Sequence, residues 1–276
     1  MEKAIKRYFP IFVLPTMIAF TLGFIIPFAE GVYLSFCKFT TVNDAKFIGL
    51  SNYGKVFKDS TFVHAFWYTA AFTVVSVILI NVLAFAVALL LTKGIKGTNV
   101  FRTVFFMPNL IGGIVLGYIW QLLLNGILMK FSRTLTYSST FGFWGLVILM
   151  CWQQIGYMMI IYIAGIQNIP GELIEAAEID GATKRQVLKS VTIPMVMPSI
   201  TVCTFLTLTN SFKLFDQNLA LTNGEPSKMS EMLALNIFTT FYGRAVGQAK
   251  AVIFFILVAA IALTQNYLTR RKEVQQ

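Results

Sequence analysis

The sequence predicts an all-α membrane protein: six transmembrane helices, with a charged cytoplasmic loop between helices 4 and 5. Three observations predict it. Apolar residues make up 57% of the 276-residue chain and charged residues only 12%, far from the balance of a soluble domain. Six apolar runs are each long enough to cross a bilayer, which takes about 20 helical residues. A charged, helix-forming stretch, Gly171–Pro194, separates the fourth run from the fifth. Lipid offers no hydrogen-bond partners, so runs that cross it must satisfy their own backbone as helices. The apolar–polar alternation of a membrane barrel is absent.

The first run, Phe9–Phe28, follows Lys3, Lys6 and Arg7. It is longer than the apolar core of a signal peptide and lacks an A-x-A site, so it reads as a retained span. In the outward segment Cys37–His64, Gly49 marks a turn and Ser51 a helix N-cap. Apolar residues among charges, Val56, Phe57, Phe62, Val63, Phe66 and Trp67, read as a short interfacial helix leading into the second run, Tyr68–Thr92. Lys93-Gly94-Ile95-Lys96-Gly97 is a short inward turn before the third run, Thr103–Leu124. That run carries Gly113-x-x-x-Gly117, the spacing of a close helix crossing. The outward loop Asn125–Gly142 leads to the fourth run, Phe143–Ile166, and the inward loop 167–194 to the fifth, Thr192–Phe212. The last outward loop, Lys213–Lys250, has a strong turn signal in Leu221-Thr222-Asn223-Gly224-Glu225-Pro226. The sixth run, Ala251–Tyr267, is followed by Arg270, Arg271 and Lys272. No internal repeat or low-complexity tract divides the chain, so a single membrane domain over residues 1–276 is expected.

An even number of spans leaves both termini on one side. That side, with the Lys93–Arg102 and Gly171–Pro194 loops, carries about a dozen of the 22 basic residues, which favours cytoplasmic termini in a cell membrane. The formal charge of +10 reads as attraction to anionic membrane lipids; the basic residues are spread over both sides, not gathered in the single stripe that a nucleic-acid partner needs. Cys37, Cys151 and Cys203 are far apart with no C-x-x-C, so neither a zinc site nor a disulfide framework is indicated. His64 stands alone, and no metal site is expected. Trp67, Trp120, Trp144 and Trp152 include interface anchors. No H-E-x-x-H or G-x-S-x-G occurs, so no catalytic residue is assigned.

The loop between the fourth and fifth runs has its own logic. Pro170 suits the first position of a helix, where a missing N–H costs nothing, and Glu172 and Glu175 lie near its positive end. Leu173, Ala176 and Ala177 fall at i, i+3 and i+4 and share one face, shallow enough for another protein to approach. Asp180-Gly181 stops the helix, with Gly181 available for a left-handed cap. Thr183-Lys184-Arg185-Gln186 fits a capping box opening a second helix. On these grounds alone, a docking element and an amphipathic connector lying on the membrane are both open.

The pattern Glu175-Ala176-Ala177, Gly181, Val191-x-Ile193-Pro194 resembles the E-A-A, G, I-x-L-P signature of permease subunits in binding-protein-dependent ABC importers. Val191 and Ile193 replace Ile and Leu, with little change of shape. Phe47-x-Gly49-Leu50-x-Asn52-Tyr53 and Thr222-Asn223-Gly224-x-Pro226 resemble the carbohydrate-uptake branch of that family, the maltose, multiple-sugar and glycerol-phosphate type; Glu225 stands where Gly is common.

The resemblance implies a coupling helix, formed by Leu173, Glu175, Ala176, Ala177, Asp180 and Gly181, seated in a groove of a cytoplasmic ATPase. It implies as partners two such ATPase subunits holding ATP-Mg, a second permease subunit completing a heterodimer, and an extracytoplasmic sugar-binding protein. The chain has no G-x-x-x-x-G-K-[ST] loop and no buried acidic or basic relay in its runs, so a partner must supply the energy, and no cofactor is expected in the chain itself. Polar residues at membrane depth are the candidates for the substrate path: Asn109, Gln153, Gln154, Tyr157, Thr207, Asn210 and Ser211. The competing role for each is a hydrogen bond between neighbouring helices. Two alternatives stay open: the same machinery moving glycerol phosphate or another polar solute, with Lys213 as the nearest cation, and a stand-alone channel or secondary transporter.

Overall fold

The computed structural model describes residues 2–240 and 244–270. Arg271 and Lys272, expected to flank the last span, lie outside the described residues. Among the described residues, five helices are long and apolar enough to cross a membrane: Ile11–Ser35, Ser60–Leu91, Gly113–Phe131, Ser139–Gln167 and Arg244–Thr269. A sixth crossing is formed if Lys184–Met195 and Met197–Phe212, bent by 68° at their junction, count as one span. The chain divides into two compact units: residues 1–60 with 237–256, and residues 61–236 with 257–276.

The first unit begins with α1 (Glu2–Phe20), which passes through a π-helical turn at Thr21–Ile25 into α2 (Ile26–Ser35). No residue of the apolar window here is buried, as expected of a helix whose neighbours are lipid tails. Short strands β1 (Cys37–Lys38) and β2 (Lys46–Phe47) pair antiparallel, Cys37 opposite Phe47. α3 (Ser51–Lys58) follows, preceded by Gly49 at φ +62, a left-handed position that favours glycine. The Asn52 side chain explains the motif around it: its Nδ2 donates to the carbonyls of Ser35 at 2.9 Å and Cys37 at 2.8 Å, pinning α3 to the end of α2. Tyr53 adds a 2.7 Å bond to Ser35. Ser51 is the first residue of α3, not its cap; Leu50 holds the cap position.

The second unit is built on α4 (Ser60–Leu91, all but its first residue), α5 (Thr98–Phe106), α6 (Gly113–Leu128), α7 (Ser139–Gln167), α8 (Gly171–Ile179), α9 (Lys184–Val187), α10 (Ile193–Met195), α11 (Met197–Phe212), α12 (Asp216–Leu221) and the first half of α13 (Leu233–Thr239). α14 (Arg244–Arg270) runs through both units. The core of the second unit gathers around α7: Leu146, Leu149, Met150, Met158, Met159 and Tyr162 pack with Phe72, Ile80 and Ala84 of α4. One buried polar chain ties three helices together. Tyr162 Oη donates to Asn81 Oδ1 at 2.6 Å, Asn81 Nδ2 donates to Thr207 Oγ1 at 2.9 Å, and Thr207 Oγ1 donates to the Cys203 carbonyl at 2.7 Å.

Three further features differ from what the sequence predicts. The third run is not one helix from Thr103 to Leu124. α5 ends at Phe106, a 3₁₀ turn covers Met107–Leu110, and Ile111 and Gly112 are extended before α6 begins. Pro108 has no N–H for a helical ladder, and the Gly112-Gly113 pair resists helix propagation. The fifth run is likewise broken at Val196, between Pro194 and Pro198. Finally, Lys250 is not a loop residue at the edge of the last span. It lies one turn and more inside α14, only 1% exposed, and its Nζ is 2.7 Å from Asp59 and 3.0 Å from Thr240 Oγ1. A buried charge is tolerated there because it is paired.

Candidate functional site

α8 takes its shape from its ends. Pro170 occupies the N-cap position, one residue before the first helical position expected for it, and Glu172 lies in the first turn. At the other end Gly181 has φ +79, its N–H donates to the Glu178 carbonyl at 3.0 Å, and the Ala182 N–H donates to the Ala177 carbonyl at 3.0 Å. This is the two-bond left-handed cap that Asp180-Gly181 predicts. The capping box at Thr183 and Gln186 is present and opens α9. The helix and the turn after it therefore form one stiff unit joined to α7 on one side and α9 on the other.

No residue of α8 is fully buried. Ile174 packs on the core and Ala177 is half-buried, so that side is the inner one. Glu172, Glu175, Ala176, Ile179 and Asp180 are exposed, and Leu173 is 43% and Ile179 85% exposed. The stripe of Leu173, Ala176 and Ala177 runs from the open face at Ala176 to the half-buried Ala177. An isoleucine that exposed, between carboxylates on a capped helix, makes a flat apolar-and-acidic surface.

The substrate-path candidates divide. Gln153 and Gln154 are buried on α7. Gln153 Oε1 accepts from Gln217 Nε2 at 2.8 Å, and its own Nε2 reaches the Ile111 carbonyl at 3.5 Å, on the extended break before α6. Gln154 Oε1 accepts from Asn210 Nδ2 at 3.5 Å. Tyr157 lies one turn further along α7, its ring 6.3 Å from that of Phe106. Asn109 is half-buried in the 3₁₀ turn of the same break. Thr207 belongs to the Asn81–Tyr162 chain and is fully buried, with its oxygen committed to helix–helix bonds. Ser211 is also fully buried, and its Oγ has no hydrogen-bond partner among the described residues.

Gln217 and Asn81 were not among the sequence candidates. Asn81 satisfies the criterion used for the others, a polar residue at membrane depth. Gln217 does not, because the sequence places it in an outward loop. α12 instead folds back on α6, and the glycines of the third run allow it. A Cβ on Gly113 would meet Asp216 Cβ at 2.7 Å, and one on Gly117 would meet Ala220 Cβ at 2.7 Å. The expected close crossing is thus present, with α12 as the partner. α12 is held in turn by Asn218, fully buried, which bonds Thr222 Oγ1, the Ser230 carbonyl and the Met232 N–H. That explains why Thr222 to Pro226 form a compact turn.

Residues 85–274 match the family described as "Binding-protein-dependent transport system inner membrane component". The chain belongs to this family. It is a multi-pass inner-membrane permease component of an ABC importer, of the carbohydrate-uptake type, and such subunits are non-catalytic. It is 43% identical, over 96% of its length and 94% of the relative's, to the "Probable starch degradation products transport system permease protein AmyD" of Thermoanaerobacterium thermosulfurigenes. It is 28% identical, over 99% of both chains, to the "Multiple sugar-binding transport system permease protein MsmF" of Streptococcus mutans. Among solved structures, a bacterial ABC transporter involved in import of the acidic polysaccharide alginate superposes with a TM-score of 0.82, 21% identity and 98% coverage of each chain. That likeness is one of fold. Among the described residues no cluster of His, Cys, Asp or Glu could hold a metal ion.

Proposed function

We propose that this permease translocates a sugar or oligosaccharide received from an extracytoplasmic binding protein, as one domain paired with a second permease subunit. Both termini lie in the cytoplasm. α8 docks in a groove on one of two ATPase subunits, where bound ATP-Mg supplies the energy. The observation that carries the reading is the capped α8 with its exposed Ala176, Glu175 and Ile179, a rigid surface that no described residue covers. The names of the similar permeases support the substrate class.

Gln153, Gln154, Asn210 and Gln217, with Tyr157 and Asn109 beside them, form the substrate path. Amides at membrane depth donate and accept at once, which matches the hydroxyl pattern of a carbohydrate. Thr207 serves as helix glue. A phosphate-ester substrate gains nothing from Lys213, which is exposed at the C-terminal end of α11. The test is reconstitution into proteoliposomes with the partner subunits and ATP. Uptake that needs the ATPases, and a Gln217→Ala variant that raises KM for sugar more than it lowers membrane-inserted protein, support the reading. Solute flux through the chain alone refutes it.

A further inference from the structure

The loop between α6 and α7 holds an open cavity of about 460 Å3 lined by Leu128, Phe131, Arg133 and Phe141. The Arg133 guanidinium lies over two aromatic rings, 5.0 Å from the centre of Tyr137 and 5.7 Å from that of Phe141. Both are within cation–π range, which orients the group without neutralising it. The loop is a built structure: Asn125 Oδ1 accepts the Leu135 N–H at 2.8 Å, Leu135 is buried, and the Arg133 N–H donates to the Leu128 carbonyl at 3.2 Å.

Charge and depth identify the occupant. The sequence has no Asp or Glu between Asp59 and Glu172, and among the described residues no carboxylate pairs with Arg133. Lys130 adds a second cation to the same loop. The spans Gly113–Phe131 and Ser139–Gln167 meet at this loop, so the cavity lies where the hydrocarbon ends and headgroups begin. Ile127, Phe131, Tyr137 and Trp144, all within a few residues of the lining in sequence, are exposed, the composition of an interface belt. A planar guanidinium forms paired hydrogen bonds to phosphate, and Leu128, Phe131 and Phe141 offer apolar wall to the chain that follows the phosphate.

We propose that this cavity is a phospholipid site: Arg133 holds the lipid phosphate, and Leu128, Phe131 and Phe141 hold the glycerol and first acyl carbons. The lipid would fix the height of the α6–α7 hairpin in the bilayer.

The test takes the full chain in its assembled complex from nanodiscs of phosphatidylglycerol and phosphatidylcholine in equal parts into native mass spectrometry. The wild type retains phosphatidylglycerol on this chain; Arg133→Ala weakens retention about ten-fold, the scale of lost hydrogen bonds to a charged group, and Arg133→Lys restores part of it. Phe131→Ser weakens it too, and because Phe131 and Arg133 are exposed these variants keep the fold. Excess inorganic phosphate leaves the lipid in place. Unchanged retention in Arg133→Ala overturns the proposal. So does displacement by inorganic phosphate alone, which makes this a simple anion site. Equal binding of a glucosyl diacylglycerol, or displacement by oligosaccharide, makes it a carbohydrate contact and also overturns it.

Discussion

Gly181 offers the sharpest test of the idea that α8 works as a rigid lever. Its φ of +79 is a conformation that side chains resist, while a Cβ built there meets nothing within 4 Å. Substitution therefore acts through the backbone alone. Forcing an L-residue into the left-handed region costs roughly 1–2 kcal/mol, least for Asn and most for a β-branched residue. The alternative is to open the turn and release the Ala177 and Glu178 carbonyls to water, at about 1 kcal/mol per lost bond. Either route reduces the capped conformer on the order of 5- to 30-fold. ATP hydrolysis stimulated by loaded binding protein, measured in proteoliposomes with the partner subunits, should fall in the order Gly, Asn, Ala, Val. Gly181 is exposed, so the amount of inserted protein should not change. Equal coupled rates for Asn and Val, or losses that merely track inserted protein, would refute the lever.

Three further outcomes follow from contacts elsewhere. A Cβ on Gly156 would collide with the backbone carbonyl of Phe105, so Gly156→Ala should destabilise the chain by about 1–3 kcal/mol, whereas Gly54→Ala, with open space around it, should not; thermal unfolding in detergent compares them. For the Lys250–Asp59 pair, Asp59→Asn leaves a buried ammonium and should cost about 3–5 kcal/mol, while Lys250→Met leaves a carboxylate 31% exposed and should cost less; equal losses would contradict the asymmetry. Asp44 accepts the N–H groups of Thr41 and Thr40 at 2.9 Å, which holds its carboxyl below the ordinary range. Its contribution is therefore present above the ordinary carboxylate pKa and lost as pH falls through the lower folded value. Amide protection at Thr40 and Thr41, corrected for intrinsic rates, should drop in acid in the wild type and stay flat in Asp44→Asn.

What the sequence disclosed and what it hid follow one physical division. Spans 1, 2, 4 and 6 were legible because burial in hydrocarbon demands contiguous apolar side chains. Their ends were not: α4 starts at Ser60 and α14 at Arg244, several residues before the apolar runs, and these added turns pack against protein, with Phe62, Ala65, Ala249 and Lys250 buried, which a hydropathy window does not report. Pro108, Gly112, Pro194 and Pro198 were visible, but hydropathy weighs side chains and ignores the missing N–H that breaks the third and fifth runs. The loop at 171–194 was readable almost residue by residue because caps are local: Gly181, Thr183 and Gln186 act within one turn of themselves. The pairing of Gln153 with Gln217 spans 64 residues and depends on α12 folding back over Gly113 and Gly117. No local rule reports such a contact.

If the proposed substrate path is right, hydrogen-bond geometry separates helix glue from path more sharply than residue type does. Thr207, Asn81 and Tyr162 are joined at 2.6–2.9 Å, and each oxygen or amide in the chain has an assigned partner. Opening such a chain to a sugar would leave buried groups unpaired, which costs more than a new bond returns. Gln154 and Asn210 meet only at 3.5 Å, and Gln153 reaches the Ile111 carbonyl at 3.5 Å, the outer limit of a hydrogen bond. Exchanging those contacts for a hydroxyl loses little. The Ile111 carbonyl is available at all only because Pro108 and Gly112 interrupt the helix there, so the break that hydropathy missed is also what puts a backbone acceptor beside the amides. In the proposed path the 2.8 Å bond from Gln217 holds Gln153 in place, and the 3.5 Å contacts are the replaceable ones that a sugar bound and released in each cycle would exchange.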